Sequence, residues 1–298
     1  MRLRVLVAGQ SGQVAQSLLQ AASRDVTLEL RGRPDFDITD KQSIAAAVDA
    51  FGPDIVINAA AYTAVDQAED DRDAAFAANA LGPQNLAEVT ADQGLPLIHL
   101  STDYVFDGSG TEPYREDQPT APIGVYGESK LAGEDAVAAA NPSHVIARTA
   151  WVYGAHGKNF LKTMLRVGST NDELRVVDDQ HGAPTSSHTI AETLLRIAHA
   201  VKEADGETPF GLYHLVASGA CSWADFAAAI FDESAARGGP AAKVARITTE
   251  EYPTKAARPA YSVLDTSKLQ SSFGVTLPDW REPIGPIVAK VLEEGSFS

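Results

Sequence analysis

The feature that most limits what this chain can fold into is its opening stretch. Leu3–Ala8 is a short apolar run rich in β-branched residues, as in a strand buried on both faces of a parallel sheet. It ends in Gly9-Gln10-Ser11-Gly12-Gln13-Val14-Ala15, and helical periodicity then continues through Leu18, Leu19 and Ala22. A strand, a glycine turn and a helix in that order aim the helix's first backbone amides at a bound pyrophosphate. Gly9 is placed to make the tight turn, Gly12 to let backbone approach phosphate, and Ala15 to let helix and sheet pack closely. The spacing is G-x-x-G-x-x-A rather than G-x-G-x-x-G, so an ordinary βα turn remains the competing reading.

The same rhythm recurs along the first half. A strand at 26–30 leads into Arg31-Gly32-Arg33, then Asp35, Asp37 and Ile38. An acid near this point holds an adenosine ribose and an arginine meets a 2′-phosphate, so Arg31 and Arg33 favour NADPH, with NADH a second candidate. A helix at 41–51 precedes the strand Ile55–Asn58, which runs into Ala59-Ala60-Ala61-Tyr62-Thr63, small residues that let a flat ligand lie on backbone. One long helix is expected over 72–92, with Asn79 its inward-facing uncharged polar residue. A strand at 96–100 ends at Ser101-Thr102-Asp103-Tyr104, and the loop 108–122 leads to a helix beginning near Val125. The strand 144–147 completes five alternations, which predicts an α/β fold, a Rossmann-like doubly wound parallel sheet.

Beyond residue 150 the alternation loosens. Helices are expected at 159–167, 187–202 and 284–292, strands at 174–177 and 210–215, and a loop and turn at 259–269. Ser222-Trp223-Ala224-Asp225 is a capping box for a helix reaching 236. The predicted organisation is therefore a dinucleotide-binding domain over 1–150 and, over 151–298, mainly a smaller α/β substrate lobe. Some of its segments are expected to return to the sheet.

A formal net charge of -16 argues against partners that require basic patches, namely nucleic acid and anionic membrane. No apolar run approaches the length of a transmembrane helix, and no signal-peptide pattern precedes Leu3. The lone Cys221 excludes an internal disulfide and reads as structural, so the expected setting is a reducing cytoplasm.

Chemistry concentrates in Val125-Tyr126-Gly127-Glu128-Ser129-Lys130. Tyr126 and Lys130, four residues apart, share one helix face. An ammonium one turn away favours the phenolate, which would bring the tyrosine down from its ordinary value of about 10. Y-x-x-x-K occurs by chance in many chains, but here the glycine turn and the Ser101-Thr102 pair converge on the same sheet end. Together they resemble the extended short-chain dehydrogenase/reductase family. Four strings narrow the resemblance to its dTDP-4-dehydrorhamnose reductases: Ile57-Asn58-Ala59-Ala60-Ala61-Tyr62-Thr63-Ala64-Val65-Asp66, Ser101-Thr102-Asp103-Tyr104-Val105-Phe106-Asp107-Gly108, Arg148-Thr149-Ala150-Trp151-Val152-Tyr153-Gly154, and the segment from Arg258-Pro259-Ala260-Tyr261 to Leu269.

The resemblance implies hydride transfer from a nicotinamide to C4 of a dTDP-4-keto-6-deoxysugar. Tyr126 would supply the proton, Lys130 would hold the nicotinamide ribose and lower the tyrosine pKa, and Thr102 would hydrogen-bond the carbonyl oxygen. Gly12, Gln13, Val14, Asp37, Ile38, Ala61 and Thr63 match cofactor-contact positions, joined by Gly9 and Arg33 from the reading above. Asp103, Tyr104 and Trp151 match the substrate side, with core packing the alternative for Trp151. Lys158, Lys162 and Arg258 are candidates for the diphosphate. Certain members dimerise through a magnesium site using a glutamate where this chain has Ser17, so no metal is expected, and the chain is read as monomer or homodimer. A 4,6-dehydratase on this fold carries Thr-Asp-Glu, but Tyr104 follows Thr102-Asp103 here, which favours simple reduction. A reductase of another 4-ketosugar remains open. So does a non-catalytic subunit like the regulatory one of methionine adenosyltransferase.

Overall fold

The computed structural model describes residues 2–204, 208–295 and 297. In chain order its elements begin with β1 (Leu3–Ala8), α1 (Gln13–Ala21), β2 (Val26–Arg31), α2 (Lys41–Phe51) and β3 (Ile55–Asn58). Two short helices, α3 (Val65–Ala68) and α4 (Arg72–Phe76), lead through a π-helical turn at Ala77–Leu81 into α5 (Gly82–Asp92). Then come β4 (Leu97–Thr102), α6 (Val125–Ala140), β5 (His144–Thr149) and β6 (Val152–Tyr153). The rest comprises α7 (Phe160–Gly168), β7 (Glu173–Val177), β8 (His181–Gly182), β9 (Thr185–Ser186), α8 (Ser187–Glu203) and β10 (Gly211–His214), followed by β11 (Cys221–Ser222), α9 (Trp223–Ala235), β12 (Lys243–Ile247), α10 (Ser267–Phe273) and α11 (Ile284–Glu294).

The central sheet has six parallel strands in the order β10-β5-β4-β3-β1-β2. From β1 the chain goes first to β2 on one side and then to β3 on the other. The crevice at that reversal is where open α/β sheets bind ligands. Each strand's alternation sorts its side chains into two cores. Val5, Val7, Ile57 and Ile98 meet Leu18 of α1 and Leu194 of α8, while Leu6, Val56 and Leu97 meet Ile44 of α2, Leu86 of α5 and Val137 of α6. The predicted doubly wound parallel sheet is what forms.

The second half contributes β10 to the edge of this sheet and α8 to one of its faces. Its remaining strands pair only in twos, β7 with β12, β8 with β11 and β6 with β9. These sit with α7, α9 and α11 around their own apolar cluster of Tyr153, Leu161, Phe226, Trp280 and Val288. The capping box at Ser222 and Asp225 forms as read, each side chain bonding the other's backbone amide. Two expectations change and one element is new. The helix over 72–92 is interrupted by the π turn around Asn79 and 267–273 is a helix, while 243–247, for which nothing was expected, is a strand. β12 hid because Lys243 and Arg246, three residues apart and both exposed, fall on opposite faces and leave neither a two-residue alternation nor a continuous apolar run. Among the described residues no helix is long and apolar enough to cross a membrane.

Candidate active site

A cavity of about 470 Å³ opens at the β1/β3 reversal, lined by Gly9, Gly12, Arg31, Arg33, Asp37, Ile38 and Ala61, among others. Its floor requires glycine at position 9. There φ is +123°, and a Cβ would sit 3.1 Å from the Ala59 carbonyl carbon. Gly12 caps α1 in extended conformation with open space where a side chain would be, so the first amides of α1 are reachable from the cavity. Asp37 accepts hydrogen bonds from the Thr39 amide and hydroxyl and from Arg33 Nε at 3.0 Å, and these donors hold its carboxyl below the usual range. Arg31 is tied to Glu29, and Ile38 is buried against Gly82. A narrow slot with small walls, free amides at one end and arginines beside an acid at the other fits a dinucleotide.

Five residues predicted to touch the cofactor stand outside the lining, Tyr126 and Lys130 in the neighbouring trio and three others. Val14 packs in the core under α1, so only its backbone faces the turn. Gln13 turns its side chain toward the second half, where Oε1 accepts from Asn159 Nδ2 at 3.0 Å and Nε2 donates to the Val152 carbonyl at 3.4 Å. Thr63 is exposed just past the cavity edge.

Next to this cavity the expected trio assembles. Thr102 ends β4, and its hydroxyl donates to Asp103 at 3.1 Å and accepts from the Tyr104 amide at 3.2 Å. Tyr126 lies in the first turn of α6, its ring edge-on to that of Tyr104 at 5.5 Å. This approach requires Gly127, where a Cβ would come within 2.2 Å of the Tyr104 carbonyl oxygen. Burial pushes the Tyr126 phenol up to about 12, against a hydrogen bond with Thr102 that lowers it. The expected lowering by Lys130 does not dominate. The Lys130 ammonium donates to the Leu100 carbonyl oxygen at 2.6 Å, and burial brings its own pKa down to about 8. Tyr126 is therefore a fully protonated acid at neutral pH. Asp103 is also buried, which pushes it up to about 6 against hydrogen bonds from Ser262 and Thr102.

Asn79, the inward polar residue of the interrupted helix, fastens this corner. Its Oδ1 accepts from the Tyr62 amide at 2.8 Å, and its Nδ2 donates to the Tyr62 carbonyl and to Ser129 Oγ, both at 3.0 Å. It thus ties the Ala59–Tyr62 wall of the cavity to α6, one residue from Lys130.

A second cavity of about 390 Å³ lies beyond Tyr104, walled by Phe160, Met164, Trp223 and Tyr252 and carrying Arg175, Gln180 and Arg258. Arg258 is paired with Asp66 at 2.7 Å and Arg175 with Glu251 at 2.8 Å. Trp151 is not on this wall directly. It lies flat on Trp223, rings 3.5 Å apart and 4° from parallel, and adopts φ +47°, a backbone region costly for a bulky residue. One face of its ring is thus spent on packing. Trp223, visible in the sequence only as the residue after a helix cap, supplies aromatic surface instead, and Phe160, Met164, Arg175 and Tyr252 carried no sequence signal at all. Lys158 and Lys162 do not line it. A cavity of about 500 Å³ near Asp25 and His199 lies at the opposite, amino end of the strands and holds none of these residues.

At the position of Ser17, its hydroxyl meets that of Ser187 at 2.8 Å in a buried contact. Among the described residues no group of three or more His, Cys, Asp or Glu is arranged to hold a metal. Cys221 is buried, which pushes its thiol well above the ordinary value.

Comparison with known proteins agrees with this geometry. The family described as RmlD substrate binding domain matches residues 2–293. A Sinorhizobium fredii protein named dTDP-4-dehydrorhamnose reductase is 47% identical over 293 residues, covering 98% of this chain and 99% of its own. The crystal structure of a dTDP-4-dehydrorhamnose reductase from Clostridium acetobutylicum superposes with a TM-score of 0.90 at 38% identity, over 97% of this chain and all of its own. That of the Bacillus anthracis enzyme, solved in complex with NADP, has a TM-score of 0.90 at 35% identity and the same coverage. This chain belongs to the RmlD substrate binding domain family, alongside the dTDP-4-dehydrorhamnose reductases.

Proposed function

We propose that the chain reduces the C4 ketone of dTDP-4-dehydro-L-rhamnose to the alcohol of dTDP-L-rhamnose, using NADPH, with NADH as a second donor. The observation that carries this reading is the protonated Tyr126 beside Thr102, between a dinucleotide-sized slot and an aromatic-walled cavity. The bound nicotinamide supplies the hydride. Thr102 turns its hydroxyl proton from Asp103 to the ketone oxygen, where charge develops, and Tyr126 passes its proton to that oxygen as it becomes an alkoxide. A phenol near 12 remains acidic enough to protonate an alkoxide, and burial keeps it from ionising beforehand. On this reading Lys130 holds the nicotinamide ribose and Gly9, Gly12, Arg33, Asp37, Ile38 and Ala61 the rest of the dinucleotide, with Gln13, Val14 and Thr63 bordering it from outside the lining.

The substrate side falls to Asp103, Tyr104 and Trp151, with Trp223 added and Arg258 facing the diphosphate. Residues 1–150 then hold the cofactor, and 151–298 mainly the nucleotide sugar while lending β10 and α8 to the sheet. The lone, buried cysteine supports a reading of a reducing cytoplasm, and the chain is read as monomer or homodimer.

The test follows NADPH oxidation with dTDP-4-dehydro-L-rhamnose and identifies the product sugar by NMR. Wild type is expected to yield the rhamnose epimer. Tyr126→Phe is expected to keep NADPH affinity and lose at least about 10²-fold in turnover. Turnover near wild type in that variant removes Tyr126 as the acid, and a different product sugar reassigns the substrate.

A further inference from the structure

Tyr126, Lys130 and Glu134 recur every fourth residue of α6 and so form one stripe of the helix, turned toward the sheet. Lys130 and Glu134 are only 2% and 4% exposed. Charged side chains buried this deeply are held only where a partner compensates them. Glu134 has such a partner across the layer. Arg148 of β5, itself 3% exposed, grips its carboxylate through Nε at 2.9 and 3.2 Å and Nη2 at 2.6 Å. This is the one ion pair among the described residues with both side chains at or below 5% exposure. Lys130 has no carboxylate in contact. Its ammonium is held by a carbonyl oxygen, and the charge that acts on it is that of Glu134, one helical turn on.

We propose that Glu134 is a positioning residue for Lys130: its carboxylate, fixed in place by Arg148, keeps the buried ammonium charged and aligned along α6 beside Tyr126. The inference rests on Lys130 being the site's cation and goes beyond it by assigning the groups that maintain that cation. The other groups around Lys130 do not compensate it. His99 of β4 is fully buried and held neutral, its Nδ1 on Asn58, and Asp103 past the end of β4 acts on Tyr126 instead. Burial brings the Lys130 pKa down to about 8 even though the Glu134 charge opposes that fall.

The two members of the pair then have opposite effects on Lys130. Removing the carboxylate in Glu134→Gln leaves the Arg148 charge facing Lys130 and discourages its protonation. Removing the guanidinium in Arg148→Met leaves the carboxylate to Lys130 alone and favours it. The test follows the titration of Lys130 in the full chain by NMR of ε-¹³C-labelled lysine, its signal assigned with Lys130→Arg. The pH dependence of NADPH binding, read by fluorescence, serves as a second readout. Glu134→Gln is expected to move the Lys130 titration down by about one pH unit and Arg148→Met to move it up. Glu134→Gln/Arg148→Met removes both buried charges without stranding either, so it tests the idea even where a single variant fails to fold. In it the titration is expected below wild type. Shifts of the same sign in both single variants, or a double variant that titrates like wild type, overturn the proposal. Because the NMR readout needs no sugar, its failure is distinct from a failure of the proposed reaction, which the wild-type turnover assay reports alone.

Discussion

At the scale of single residues, the decisive quantity is burial rather than spacing. The i, i+4 relation of Tyr126 and Lys130 implied a phenol lowered by its neighbour, yet desolvation raises Tyr126 to about 12 and the Lys130 ammonium donates its hydrogen bond to the Leu100 carbonyl oxygen. Sequence spacing places two groups on one face but says nothing of how much water each retains, and at this depth that cost is larger than a neighbour's charge. Asp103 shows the same rule with a measurable consequence. Its folded value near 6 lies above its unfolded value of 3.8, so the stability tied to its proton is fully present below pH 3.8 and is lost as pH rises through about 6. Asp103→Asn, which has no proton to lose, should gain on wild type by up to about 3 kcal/mol between about pH 4 and pH 7.5. Urea unfolding across that range checks it. A difference independent of pH would mean that Asp103 is ionised without penalty.

At the scale of elements, β1 to β5 and the helices between them were legible because buried parallel strands are continuous apolar runs and the helices keep their 3.6-residue stripe. What could not be read was the break in the helix at 77–81. The π turn coincides with Asn79, whose side chain bonds the main chain of Tyr62, 17 residues away, a contact that local periodicity does not encode. The glycine turn was legible in outline, and the structure separates its members. Gly9 is required by its backbone angle, whereas a methyl group at Gly12 meets nothing within 4 Å. Gly12→Ala should thus leave unfolding stability within about 0.5 kcal/mol of wild type. It should still weaken NADPH binding by at least about tenfold if, as proposed, the phosphate approaches the α1 amides there. Calorimetric binding alongside thermal melts checks both halves. Unchanged affinity would remove that turn from the cofactor site.

At the scale of the whole molecule, residues distant in sequence are tied across the site. Gln13 of the glycine turn bonds Asn159 and Val152 of the second half, and Asp66, just past the alanine wall, holds Arg258 and the Ala256 amide. Arg258 therefore stands where the cofactor side and the 254–258 loop meet, half-buried at the mouth of the aromatic cavity. Arg258→Ala should raise the KM for the nucleotide sugar by at least about tenfold and leave kcat within about twofold, the pattern of lost uniform binding. Steady-state kinetics decide it, and a fall in kcat at unchanged KM would assign Arg258 to holding the loop instead.

The amino-acid order alone was enough for the parallel sheet and for singling out its glycine turn, Thr102, Tyr126 and Lys130 as candidates, because each depends on local pattern or on a short motif. It did not reveal the Trp151–Trp223 stack, the Arg258–Asp66 tie or the Arg148–Glu134 pair. Those depend on which side chains from separate elements share a buried layer, and only the packed chain sets both the contacts and the loss of water that gives the glycine turn and the tyrosine beside it their chemistry.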